Sequence, residues 1–361
     1  MPADRREERQ AGVRAGLLAD GLEAMLVTHL PNIRYLTGFT GSAGLLLLRP
    51  DGAVLFTDFR YASQAPVEVG DSAEIEIDPA SVWERLKRTC AARPAQTVGF
   101  EAHALTVRDA GRLKKCARRT APVGELVEGL RTVKAPEEIA AIATAAALAS
   151  AALAEVLPTI RAGQTELLVA SRLEAALRRR GSEWHPFQTI VASGQRAALP
   201  HAHTTDRVIE AGEFLLIDFG AQVSGYCADL TRTVVVGGRA DARQREVYEA
   251  VRAAQLRARR EIRAGMTGCQ ADALARDLLA ARGLADAFGH SLGHGLGLEV
   301  HEAPRLSATS ESVLPVGAVV TIEPGLYLPG WGGVRLEDDI VLTAAGPEEL
   351  SDGLTDLVEL V

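Results

Sequence analysis

The chain repeats itself. Residues Ile160–Gly181, IRAGQTELLVASRLEAALRRRG, line up without gaps on Ile262–Gly283, IRAGMTGCQADALARDLLAARG. After each copy, a glycine opens an apolar strand that reaches an acid six residues on: Gly212 leads to Asp218, and Gly317 to Glu323. A second acid follows each, Asp229 and Glu337, and is read as part of the same repeat. A two-copy period of ~100 residues is too long for a solenoid of short stacked units. It predicts helices followed by a hairpin, duplicated with pseudo-twofold symmetry, each hairpin carrying two carboxylates to a shared centre.

Those carboxylates need partners. Phe214–Ile217 is the continuous apolar run of a buried strand, so Asp218 and Asp229 lie where desolvation disfavours an unpaired charge. Buried ion pairs with Arg232 and Arg335 are one answer. The other lies in GHSLGHGLGLEVHEAP, Gly289–Pro304, which places His290, His294 and His301 between the second repeat's helix and its hairpin. Its glycines allow close approach of backbone and ligand. An oxygen-rich set with one imidazole and no thiolate suits Mn²⁺, Co²⁺, Zn²⁺ or Fe²⁺. Four acids exceed the needs of one ion. Two ions about 3.5–4 Å apart, sharing two bridging carboxylates, would use them all.

Ahead of the repeat, short apolar runs (AMLVTHL, GLLLLRP, AVLFTD, TVGFEA) alternate with helical stretches such as SVWERLKRTCAAR. That predicts an α/β domain. GFTGSAG, Gly38–Gly44, has the glycine spacing of a phosphate loop but no GK[ST] ending, and is read as a tight turn between strands. Around ELVEGLRTVKAPEEI a Lys-Ala-Pro break precedes a Glu-Glu pair, a helix start and domain junction. Domains of 1–130 and 131–361 are expected.

With 361 residues, 47% of them hydrophobic, the chain can bury two cores. A net charge of -8 argues against nucleic acid or an anionic membrane as partner. The charged N-terminus has no apolar signal region. The longest uncharged segment, Ile139–Ala154, is short for a membrane span and reads as a buried helix. Cys90, Cys116, Cys227 and Cys269 show no metal or redox spacing, which suits a reducing, cytoplasmic setting.

Four stretches, IDFG…ADLTRT, HGLGLEVHEAP, TIEPGLY and GVRLEDD, occur in order and resemble the creatinase and methionine aminopeptidase superfamily of pita-bread metallopeptidases. Within it the chain is similar to the proline-specific branch, Xaa-Pro aminopeptidase and Xaa-Pro dipeptidase (prolidase). NIRYLTGFTGSAG and TDFRYASQA look like that branch's N-terminal domain, which methionine aminopeptidases lack. The implied fold is α+β: a pita-bread catalytic domain with an internal pseudo-twofold duplication, preceded by a smaller α/β creatinase-like domain.

The resemblance implies metal ligands Asp218, Asp229, His294, Glu323 and Glu337, with Asp229 and Glu337 bridging two divalent ions, Mn²⁺ first and Zn²⁺ or Co²⁺ as alternatives. His201, His290 and His301 match positions that contact substrate. All five ligands are present, unlike in creatinase itself or a peptide-binding relative without catalysis. The implied reaction is hydrolysis of the Xaa-Pro bond by a metal-bridging hydroxide. Glu323 would relay the proton, His301 would stabilise the oxyanion, and His201 and His290 would line the proline pocket. Arg335, two residues before Glu337 and on the same strand face, would bind a carboxylate or the substrate terminus, or simply balance the acids. Trp331 and Tyr327 would wall the pocket or pack the hairpin. Between the two activities the sequence leans to the aminopeptidase, acting on small proline-containing peptides, with the prolidase as alternative. The resemblance also implies a homodimer.

Overall fold

In the computed structural model, residues 5–351 and 355–361 are described. The chain divides into two compact units, Met1–Arg131 and Thr132–Val361. The first is built on a six-stranded mixed sheet in the order β4-β3-β2-β1-β5-β6. Its strands are β1 (Ala24–Val27), β2 (Leu45–Arg49), β3 (Gly52–Thr57), β4 (Glu74–Ile77), β5 (Thr97–Glu101) and β6 (Arg119–Val123). Its helices are α1 (Arg6–Ala19), α2 (Leu30–Thr37), α3 (Gln64–Val69), α4 (Val82–Ala92), α5 (Val107–Leu113) and α6 (Leu126–Thr132). β1 and β2 are buried almost throughout, as their unbroken apolar runs require of a sheet covered on both faces. The Gly38–Gly44 loop joins α2 to β2, not strand to strand. Gly38 caps α2 in the left-handed conformation, which leaves the loop to start as a helix exit.

The second unit carries the duplication in its backbone. One half contains α7 (Pro136–Val156), α8 (Glu166–Arg180), β7 (Ile190–Ser193), β8 (Glu213–Val223) and β9 (Tyr226–Val236). The other contains α9 (Ala242–Glu261), α10 (Gly268–Ala281), β10 (Gly293–Gly295), β11 (Glu302–Leu306), β12 (Val319–Ile322), β13 (Gly325–Leu328), β14 (Gly332–Arg335) and β15 (Asp338–Leu342). Two short strands, β16 (Pro347–Glu349) and β17 (Val358–Leu360), complete the sheets, in the orders β17-β9-β8-β7 and β11-β10-β12-β15-β16. Thr165 and Thr267 cap α8 and α10 in the same way, each hydroxyl accepting a main-chain N–H of the first turn. Gly212 and Gly317, which open the two acid-bearing strands, share φ near +85°: 84 and 87. A side chain at either would be strained.

α7 is longer than the uncharged segment that marked it, since Glu137, Glu138 and Glu155 fall inside it. Pro136 starts it, and the Glu138 carboxylate accepts the Ala135 N–H. By length and composition this helix could cross a membrane. Its Ile142, Ala145, Ala149, Ala152 and Leu153 are nonetheless buried; the alanines and Leu153 pack with Leu215, Ile217 and Leu230 of the hairpin. Alanines let the helix approach the sheet closely, which is why this face is so poor in large residues.

Strand register refines the repeat. In the first hairpin Asp218 stands opposite Thr231 and Gly220 opposite Asp229. In the second, Ile322 stands opposite Asp338 and Gly325 opposite Arg335. Glu323 is therefore the counterpart of Asp218. The counterpart of Asp229, however, is Arg335, and Glu337 occupies the place of Thr231. The reading of Asp229 and Glu337 as one repeated position is corrected on this point: spacing along a hairpin includes its turn, and only the ladder fixes which residues correspond.

Candidate metal centre

Cross-strand partners share a face of a sheet, so Asp218, Gly220, Asp229 and Thr231 all point one way from the first hairpin. Glu323, Gly325, Arg335 and Glu337 do the same from the second. The two hairpins meet at an isolated bridge between Thr231 and Glu337. The Glu337 N–H donates to the Thr231 carbonyl at 3.1 Å, and the Thr231 hydroxyl donates to Glu337 Oε2 at 2.6 Å. Gly220 is needed opposite Asp229, because an added Cβ would lie 2.3 Å from the Ala228 carbonyl and against Pro186 and Phe187.

His294 comes from β10, held flat against β12. A Cβ at the preceding Gly293 would stand 2.0 Å from the Thr321 carbonyl oxygen. The His294 Nδ1 is 3.0 Å from the Gly295 carbonyl, a contact that requires the proton on Nδ1 and leaves the Nε2 lone pair facing the acids. Nε2 lies 3.5 Å from Glu323 Oε1 and 3.8 Å from Asp229 Oδ2. One donor atom each of Asp229, His294 and Glu337 falls within 4.8 Å of the others.

The electrostatics ask for a cation. Burial, followed by repulsion from neighbouring acids, pushes Asp229 and Glu323 well above the usual carboxylate range and Glu337 to about 8. Burial also raises Asp218, against the pull of Arg335. Burial takes His294 down to about 4, so its ring is neutral at pH 7 and its Nε2 lone pair is available to a cation. Asp218 Oδ1 and Asp229 Oδ1 are buried with no hydrogen-bond partner. Orphaned carboxylate oxygens beside a neutral imidazole fit divalent ions better than a salt-bridge cluster.

The arginines divide. Arg335 Nη2 donates to Asp218 Oδ2 at 2.5 Å, Nη1 to the Tyr327 hydroxyl at 2.8 Å and the Pro200 carbonyl at 3.1 Å, and Nε to the Thr231 hydroxyl at 3.0 Å. Its guanidinium is thus committed to the acid cluster and is 3% exposed. Arg232 instead bonds the Asp338 carboxylate at 2.6 Å and the Glu337 main-chain carbonyl at 2.5 Å, and none of the four cluster carboxylates. Behind the cluster, Asp339 accepts the Asp229 N–H at 3.1 Å.

His290 Nε2 meets the Tyr327 hydroxyl at 2.8 Å, and burial lowers its pKa to about 4. Tyr327 therefore links His290 to Arg335 and walls the site. Trp331 packs the hairpin: its ring meets Phe214 edge-on at 5.7 Å, under the Arg243 guanidinium. The His301 ring lies 4.4 Å from that of His294, and burial lowers its pKa as well. His201 is exposed on the loop after β7 and acts electrostatically on Asp218, His290 and His301. His203 faces Gln188 instead.

Arg305 carries no signal in the sequence. It is the ladder partner of His294, so its side chain shares that residue's face. It is exposed, forms no ion pair among the described residues, and its charge is felt by both His294 and His301. The signal was the strand pairing of HGLG with APRL, invisible before β10 and β11 were known.

Two family models match the chain: Metallopeptidase family M24 over residues 140–344 and the Creatinase/Prolidase N-terminal domain over 9–133. An uncharacterized peptidase of Bacillus subtilis, YqhT, is 43% identical over 94% of this chain and 96% of its own length. The solved Xaa-Pro dipeptidase from Bacillus anthracis is 40% identical, with a TM-score of 0.95 over 98% of this chain and 100% of that one. The X-Pro aminopeptidase from Thermotoga maritima is 36% identical, with a TM-score of 0.90 over 97% and 99%.

Proposed function

The chain belongs to metallopeptidase family M24, with a pita-bread domain after a creatinase-type N-terminal domain, and on that premise we propose that it is a proline-specific exopeptidase cutting the Xaa-Pro bond of dipeptides. Asp218, Asp229, His294, Glu323 and Glu337 would hold two divalent ions, Mn²⁺ foremost, which when bound polarise a carbonyl and acidify water toward a pKa of about 7. The bond before proline is a tertiary amide without an N–H. The pocket must therefore hold the proline ring by shape, a task that falls to His201 and His290 with Tyr327.

Glu323 carries the proton. Its carboxyl lies 3.5 Å from the His294 ring nitrogen, placed to take a proton from the attacking water and pass it to the proline nitrogen as the C–N bond breaks. His301 is a neutral ring on the open side of His294, placed to donate to the carbonyl oxygen as it gains negative charge. Removal of such a donor costs about 10²–10³ in rate. Arg335 holds Asp218 in position and has no face left for substrate.

The observation that carries the dipeptide reading is Arg305. A prolidase must hold the free carboxylate of its substrate, and an exposed guanidinium beside His294 and His301 supplies a bidentate partner. The aminopeptidase reading is favoured by the 36% identity with the Thermotoga maritima enzyme. Stripped protein reloaded with Mn²⁺ and given Ala-Pro and Ala-Pro-Ala side by side, with products followed by mass spectrometry, separates them. Cleavage of Ala-Pro alone supports the prolidase. Release of alanine and Pro-Ala from the tripeptide would overturn it in favour of the aminopeptidase. Four free thiols support a reducing compartment, and the homodimer implied by the family remains part of the proposal.

A further inference from the structure

A second constellation of metal-ligating side chains lies in the first unit, on three separate segments. His29 is the residue that precedes α2, His103 sits in the turn after β5, and Glu128 is on α6. One donor atom from each lies within 4.8 Å of the others. His103 Nε2 stands 3.1 Å from Glu128 Oε1, and His29 Nδ1 stands 3.8 Å from the same oxygen. The two imidazole rings meet edge-to-face, with centroids 5.5 Å apart.

We propose that His29, His103 and Glu128 bind a zinc ion that is separate from the metal centre of the second unit. Tetrahedral zinc takes nitrogen and oxygen ligands at about 2.0–2.2 Å, which puts the ligand atoms ~3.3 Å apart, and the two separations here fall on either side of that value. Two imidazoles and one carboxylate are a borderline set that favours zinc over manganese or magnesium, and three protein ligands leave a fourth position for water. His103 is the most exposed of the three side chains, at 36%, so that position opens to solvent.

The surroundings support a ligand carboxylate. Asn32 Nδ2 donates to Glu128 Oε1 at 2.5 Å and to Glu101 Oε1 at 2.7 Å, while Arg131 Nη1 donates to Asn32 Oδ1 at 2.7 Å. Glu101 also accepts the His29 main-chain N–H at 2.8 Å, which fixes where His29 starts. Such outer partners orient ligands, and their loss typically lowers metal affinity ~10–100-fold. Burial would raise the Glu128 carboxyl, but His29 and Asn32 outweigh it and hold the pKa at about 2, so the group is an anion at neutral pH. Bound zinc would tie together the start of α2, the turn after β5 and α6.

The test is zinc itself. Full-length protein stripped of metal would be equilibrated with chelator-buffered Zn²⁺ and its zinc counted by mass spectrometry. His103→Ala and Glu128→Gln are each expected to lose one zinc per chain relative to wild type. His103→Ala removes an exposed ring and keeps the fold, which circular dichroism checks. In a Glu337→Gln background the same single loss on adding His103→Ala is expected, which separates this site from the other cluster. Co²⁺ substitution supplies a second reading, the visible absorption of a tetrahedral site, abolished by His103→Ala. An unchanged zinc count in both variants, or a site that fills only at millimolar Zn²⁺, would overturn the proposal.

Discussion

Thr231 and Glu337 pair with each other across the pseudo-twofold axis of the duplicated unit. They hold equivalent places in the two hairpins, since Asp218 faces Thr231 in one and the ladder through Ile322 and Asp338 brings Glu323 opposite Glu337 in the other. Equivalent residues that touch must lie on the axis, and these two share a main-chain bridge and a 2.6 Å hydrogen bond. The duplication is therefore broken where its halves meet: a hydroxyl on one side, a carboxylate on the other.

Thr231→Val keeps the shape and removes the donor that orients Glu337, along with the acceptor of Arg335 Nε. A buried carboxylate that loses a donor costs about 1–3 kcal/mol, and the loss of such outer partners lowers metal affinity ~10–100-fold. Competition between the variant and a chelator for Mn²⁺ measures the affinity directly. Wild-type affinity would show that the hydroxyl does not orient the acid.

Metal removal should make stability depend on pH in a particular direction. Asp229 and Glu323 are held well above the ordinary range and Glu337 at about 8. A folded-state pKa above the unfolded value contributes stability that is full below about 4.5 and is lost as pH rises through the folded value. Chelated protein should therefore melt at progressively lower temperature from pH 5 to pH 8, while Mn²⁺-loaded protein should not follow. The loading reaction should release protons, which calorimetry in buffers of different ionisation enthalpy detects. A melting gap that stays constant over this range would contradict the picture.

Two acids of this centre are legible in the sequence because each closes a mostly apolar strand. Phe214–Ile217 before Asp218 is an unbroken apolar run, and Val319–Ile322 before Glu323 is broken only by Thr321, so both acids are carried into the interior, where a charge needs a partner. Spacing gives Arg335 a strand face but not its partners, so its role stays open in the sequence; the folded hairpins bring its guanidinium onto Asp218. Arg305 escaped altogether. It lies on a five-residue strand whose partner, β10, is only Gly293–Gly295, too short to show any period. The Gly38–Gly44 turn looks in sequence like a link between strands because α2 is a single short helix, LPNIRYLT, whose apolar residues also fit a strand.

Arg305→Ala tests how the substrate carboxylate is held. On the dipeptide reading, loss of a charge-assisted bidentate contact should raise KM for Ala-Pro ~10–100-fold, matching about 1.5–3 kcal/mol for hydrogen bonds to charged groups. The value of kcat should change little, because the contact is made equally in ground and transition states. Ala-Pro amide, which lacks the carboxylate, should bind wild type and variant alike. An unchanged KM for Ala-Pro would remove Arg305 from the substrate site.

Glu128 gives the first unit its own acid sensitivity. Burial works against the charge, yet His29 and Asn32 hold its pKa at about 2, below the 4.5 of a free side chain. A depressed folded value contributes stability that is present above pH 4.5 and is lost as pH falls toward 2. The side chain is 18% exposed, but nearby His103 is 36% exposed and solvent screens the pair, so ~0.5–1 kcal/mol is the fitting scale. In chelator at pH 7, Glu128→Gln should be less stable than wild type by that amount in urea unfolding of the full chain. The difference should shrink steadily below pH 4.5, because protonation converts the wild-type carboxylate into a neutral group much like the glutamine amide. A difference that persists unchanged at pH 3 would mean that packing, not charge, is what Glu128 supplies.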